Sequence, residues 1–145
     1  MAELVVRQRI AAPVDEVFTA LTDWSVHDRW MLLTHAEGGT GEGAEVRAYT
    51  GVGPLGFWDE MTVRVWEPPH RVVVRHTGRV VRGSASFEVK SLGDRAAEVV
   101  WSEWLLLPFG ALGRLGWPLV RPLARAMLQV SLRRLASYVE RTPRR

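Results

Sequence analysis

Two residues, taken one at a time, could do chemistry inside an apolar room, although the sequence shows no paired acid–base constellation. His76 falls on the same side of a two-residue alternation as Val72 and Val74, and Glu103 on the same side as Val99, Trp101 and Leu105. An imidazole on an inward face can orient a ligand or pass a proton near neutral pH. A carboxylate enclosed by apolar side chains either holds its proton more tightly or must find an arginine, which makes it a candidate acid, base or ligand anchor. Plainer readings stay open: His76 satisfied by a polar neighbour at a sheet end, and Glu103 in a structural salt bridge. Trp58 and Glu60 repeat the W-x-E spacing of Trp101 and Glu103, but Met61, Val63 and Val65 claim the inward side of that run, so Glu60 is expected outside.

Other constellations carry less chemistry. Residues 51–56 match GxGxxG and residues 39–44 match GxGxxA, yet both are followed by strand-like runs rather than the helix whose N-terminus would hold a pyrophosphate. Hairpin loops account for them. His27, His35, His70 and His76 are scattered without HExxH or similar spacing, and the chain has no cysteine, so neither a metal site nor a cofactor is expected.

The elements that must hold His76 and Glu103 are strands. Leu4, Val6 and Ile10 alternate with Glu3, Arg7 and Arg9 in a first strand. Pro13 at a helix start, Asp15 and Glu16 in its first turn, and the stripe of Val14, Val17, Phe18 and Leu21 predict a helix ending near Asp23. A second short helix follows, with Ser25 as its cap and Trp30 turned inward. After a glycine-rich loop at 38–43 the period becomes two. It continues through Val46 and Ala48, then Met61, Val63 and Val65, then Val72 to His76, then Gly83, Ala85, Phe87 and Val89, and ends in a last strand at 97–107. Glycines and prolines at 108–118 loosen the next stretch, which leaves room for a short helical turn at 112–117. The main terminal helix is expected from about Leu119, with Val120, Leu123, Met127, Val130, Leu135 and Tyr138 inward and Arg121, Arg125, Gln129 and Arg133 on another side.

Composition bounds the answer. At 145 residues, 47% hydrophobic and 24% charged, the chain has the size and make-up of one globular domain spanning 1–145. The longest apolar stretch, 104–112, is broken by Pro108 and Gly110 and is far short of the roughly 20 residues a bilayer requires. Residues 1–10 do not read as a signal peptide, and a cytoplasmic location is the simplest expectation. Charge is polarised: from Trp104 onward Glu140 is the only acid, against Arg114, Arg121, Arg125, Arg133, Arg134, Arg141, Arg144 and Arg145. Such a face suits an anionic surface or a solvated helix side. Seven tryptophans suit an apolar pocket or a membrane-touching lip at 104–117, and equally a core.

Several local runs coincide with a known family: 10–13 running into Val17, then Leu21, Asp23, His27 and Trp30, then Glu67, Pro68 and Pro69 before Arg71, and a last helix containing Ser131, Leu132 and Leu135. Together they resemble the polyketide cyclase/dehydrase and START-like superfamily, SRPBCC, over almost the whole chain. That resemblance implies an α+β helix-grip fold, a seven-stranded curved antiparallel sheet wrapped around a long C-terminal helix, with two short helices between strands 1 and 2. It also implies a deep apolar cavity for lipids, polyketides or similar molecules, and in some members cyclisation or aromatisation. No universal catalytic motif carries over.

The expected function is therefore binding of a hydrophobic small molecule between sheet and helix. The expected lining is Trp30, Val46, Ala48, Met61, Val63, Val74, His76, Ala85, Phe87, Trp101, Glu103, Leu123 and Met127. One alternative is a cyclase, aromatase or dehydratase using His76 or Glu103. Another is a membrane- or partner-interaction module using the basic C-terminal face, as a monomer or homodimer. Nucleic acid is not expected, because the arginines do not alternate with exposed aromatics on a strand platform.

Overall fold

Alternation of period two builds the sheet that was read from it. The computed structural model describes residues 2–107 and 109–142. Pro108, Arg144 and Arg145 of the readings above lie outside the described residues. Seven strands, β1 (Ala2–Ile10), β2 (Thr34–Gly38), β3 (Glu45–Val52), β4 (Leu55–Glu67), β5 (Arg71–Thr77), β6 (Arg82–Ser91) and β7 (Ala97–Leu105), form one antiparallel sheet in the order β1-β7-β6-β5-β4-β3-β2. Between β1 and β2 run α1 (Val14–Thr22) and a short 3-10 helix, α2 (Trp24–Arg29); the chain closes with α3 (Ala111–Arg141). This is a helix-grip fold.

The concave face is apolar because the inward residues of each strand are. Val63, Val72, Val74, Ala85, Phe87, Val89, Val99 and Trp101 are all buried, as are Val17, Phe18 and Leu21 of α1 and Leu132, Leu135 and Val139 of α3. Phe18 meets Trp66 edge-on at 5.5 Å, and Trp30 meets Phe87 and Trp101 at 6.3 and 6.4 Å. Aromatic edges on faces tie the short helices to the sheet centre.

Several expectations need correction. A strand at 34–38 pairs with β3 in a stretch to which the residues gave no strand and whose last residue was placed in the glycine-rich loop, its mixed polar sequence concealing a period of two. The last strand stops at Leu105, short of 107. Asp23, not Ser25, caps α2, its carboxylate accepting from the Ser25 amide at 3.2 Å and from the Ser25 hydroxyl. A register shift between Val63 and Val65 hands the inward position to Trp66, leaving Val65 only half-buried. A bulge inserts one residue and so reverses the side chains beyond it.

The largest correction concerns α3, which begins at Ala111 rather than near Leu119 and carries Pro118 and Pro122 inside it. Each proline removes one intrahelical donor, but both lie on exposed turns, where water can serve the carbonyls left over. Only the second half of α3 packs into the core, through Ser131, Leu132, Leu135, Ala136 and Val139. Leu123, expected to line the cavity, is 67% exposed, and Val120 and Val130 are exposed too. The first turns extend past the part of the sheet that would bury them.

Candidate functional site

Small residues on β6 let two strands that are not neighbours touch across it. Adjacent strands lie about 4.8 Å apart, so side chains on β5 and β7 are separated by twice that and normally have a third side chain between them. Here the intervening residues are Gly83, paired with both His76 and Leu105, and Ala85, paired with both Val74 and Glu103. Neither projects beyond a Cβ. Gly83 also has φ +121°, and a Cβ there would lie 1.9 Å from the Trp104 carbonyl oxygen, so no other residue fits. His76 and Glu103 meet over this gap.

The His76 ring is held at both nitrogens. Nδ1 lies 2.8 Å from Asp59 Oδ1 and Nε2 lies 2.9 Å from Glu103 Oε2. The second Glu103 oxygen accepts from Trp101 Nε1 at 3.1 Å, two residues along the same strand face. Side-chain exposures are 3% for His76, 16% for Asp59 and 12% for Glu103. Burial works against a charged ring, but the hydrogen bonds to Asp59 and Glu103 and their charges outweigh it, raising the His76 pKa from 6.5 to about 10. At neutral pH the ring is an imidazolium that donates from both nitrogens.

Asp59 was missed in the sequence. Its signal was there: it shares parity with Met61 and Val63 on β4 and so belongs to the inward face, from which Glu60 is excluded. Met61 pairs with His76, which puts Asp59 one diagonal step away. Glu60 is indeed exposed.

Of the expected lining, the structure brings Trp30, Val46, Ala48, Val63, Val74, Ala85, Phe87 and Trp101 together with His76 and Glu103 on the covered concave side, all buried. Met61 and Met127 are half-buried, and Leu123 is not part of it. The indole N–H of Trp30, fully buried, has no acceptor among the described residues. An apolar cleft of about 290 Å³ opens between α3 and the strand ends. It is lined by Val80, Val81, Leu105, Leu107, Trp117, Val120 and neighbours. Leu105 follows Glu103 on the inward face of β7, but none of Asp59, His76 and Glu103 lines this cleft. A larger cleft of about 720 Å³ is bordered by Arg64, Arg75 and Arg82, and its lining includes His76, Val74 and Gly83. The two glycine motifs are turns, as the strands around them required. Among the described residues no three His, Asp or Glu side chains are placed to hold a metal ion, and no helix is long and apolar enough to cross a membrane.

Solved structures share this architecture. A protein of Thermus thermophilus superposes with a TM-score of 0.81 at 17% identity, covering 96% of this chain and 97% of its own. The Zhui aromatase/cyclase of Streptomyces sp. R1128 does so with 0.81 at 15%, covering 97% and 94%. A START superfamily protein of Mycobacterium smegmatis gives 0.75 at 13%, covering 95% and 97%. At these identities the likeness is one of fold. No curated protein sequence matches the chain. The model of one family, described as polyketide cyclase / dehydrase and lipid transport, matches residues 1–140. With that match over nearly its whole length, the chain belongs to the polyketide cyclase / dehydrase and lipid transport family.

Proposed function

We propose that this protein binds a hydrophobic small molecule against the concave face of its sheet, with the molecule's polar group anchored at Asp59, His76 and Glu103. One observation carries the reading: a charged, hydrogen-bonded trio is set into an otherwise apolar surface. Stability alone does not call for it, since replacing buried ion pairs with well-packed apolar side chains is commonly neutral or stabilising. The orphaned Trp30 indole N–H supports the same reading, because a ligand oxygen would give it the acceptor it lacks. Family membership fits a hydrophobic guest.

Proton transfer on a folded polyketide-like chain is the rival use of the same residues, and the geometry favours it less. Both His76 nitrogens and both Glu103 oxygens are already engaged, whereas Asp59 commits one oxygen to the ring. Native mass spectrometry of the purified chain, followed by titration with 1-naphthol, tests the proposal. Glu103→Gln and Asp59→Asn keep the shape but remove a charge-assisted hydrogen bond, worth about 1.5–3 kcal/mol, so 1-naphthol affinity should fall roughly 10- to 100-fold. Unchanged affinity in both variants would remove the anchor from the account. Turnover of a polyketide-like substrate that vanishes in these variants while binding persists would assign the trio to catalysis.

A further inference from the structure

We propose that the outward face of α3 docks onto an anionic phospholipid surface, whatever the concave face binds. Leu112, Leu115, Leu119 and Leu123 recur at spacings of three and four residues, one stripe of a helix, and are 74%, 75%, 84% and 67% exposed. The stripe points away from the protein body. The residues that α3 buries, Leu132, Leu135 and Val139 among them, lie on the opposite side of the helix.

Followed by the same spacing, the stripe passes Val130 and becomes basic at Arg133, Arg134 and Arg141. These three join Arg29 and the hydroxyl residues Ser137 and Thr142 around a cleft of about 660 Å³ that no acidic side chain lines. None of the four arginines forms an ion pair among the described residues. A run of leucines leading directly into a guanidinium-lined cleft matches the order of a membrane surface, acyl chains beside phosphates.

Charge decides between occupants. A second copy laid on this stripe would set arginine against arginine, because no acidic residue occurs from Trp104 to Val139. A nucleic acid backbone would use the arginines but leave the leucines in water. An anionic lipid surface uses both.

Co-sedimentation of the full chain with phosphatidylcholine vesicles, with and without phosphatidylglycerol, tests the proposal. The chain should pellet with the mixed vesicles and stay in solution with phosphatidylcholine alone. Each basic residue near an anionic surface is worth about a factor of five, so the double variant Arg133→Gln, Arg134→Gln should weaken partitioning roughly thirtyfold. Leu119→Ser with Leu123→Ser should weaken it at least about tenfold while leaving the far-ultraviolet circular dichroism unchanged, since neither side chain is part of the core. Equal binding to both vesicles, binding to neither, or leucine variants that bind as the parent does would overturn it. So would a dimer that the leucine variants abolish, or capture of an RNA oligonucleotide, in the absence of vesicle binding.

Discussion

The molecule buries two histidines and treats them in opposite ways. His27, in the short helix α2, is ringed by Trp24 at 5.0 Å and Trp30 at 4.8 Å, and its Nε2 donates to the Leu21 carbonyl at 2.7 Å. Burial dominates there and pushes the pKa down to about 4, so the ring stays neutral. His76 is equally hidden, yet two carboxylates hold it charged. What decides the protonation state is the partner: a carbonyl dipole leaves desolvation in charge, whereas two anions reverse it. His27 is a packing piece with one hydrogen bond; His76 is the centre of the proposed site.

Breaking the site should have the largest effect. Glu103→Leu leaves the imidazolium with one of its two partners, and His76→Leu leaves two carboxylates facing each other in an apolar setting. Removing one member of a buried ion pair costs about 3–5 kcal/mol, to be read as a lowered urea midpoint. His27→Leu should cost less, about 1–3 kcal/mol, because it leaves only the Leu21 carbonyl without its donor. Equal losses at the two positions would erase the distinction.

pH sharpens the contrast, since the two rings act on opposite limbs. His76 is raised from 6.5 to about 10, so the folded state holds its proton longer, and the stabilisation is full below pH 6.5 and lost as pH rises through 10. His27 is lowered from 6.5 to about 4, so the unfolded chain takes the proton first, and stability present above pH 6.5 is lost as pH falls toward 4. Thermal unfolding across pH should therefore show His76→Leu flattening the alkaline limb and His27→Leu flattening the acid limb. The smallest effect belongs to the exposed pair of Arg47 and Glu37, although Arg47 also lies 4.4 Å over the Trp58 ring. Arg47→Ala should change stability by less than about 1 kcal/mol, a surface reference for the buried trio.

The alternation of apolar residues made most of the fold legible and placed His76 and Glu103 each on an inward face, but their meeting was not legible, because it depends on the register of β5 and β7 across Gly83 and Ala85. Asp59 was legible by the same parity but was hidden by its flanking Trp58 and Glu60, which drew attention to the outward side. β2 was obscured because Thr34, His35, Ala36 and Glu37 carry too little apolar contrast for a period to stand out. The start of α3 was misplaced because prolines and glycines argue against helix interiors, a rule that yields where the turn is exposed and water replaces the missing bonds. Whether a helical stripe is covered depends on how far the sheet extends beneath it. That is a property of the assembled molecule, and it is why Leu123 was assigned to the interior.

The most direct test of the account is the imidazole proton–nitrogen spectrum of the full chain at pH 8, recorded with and without 1-naphthol. The account predicts two protonated nitrogens on His76 and one on His27, with added 1-naphthol moving the His76 signals and leaving those of His27 in place. A neutral His76, or a response confined to His27, would contradict it.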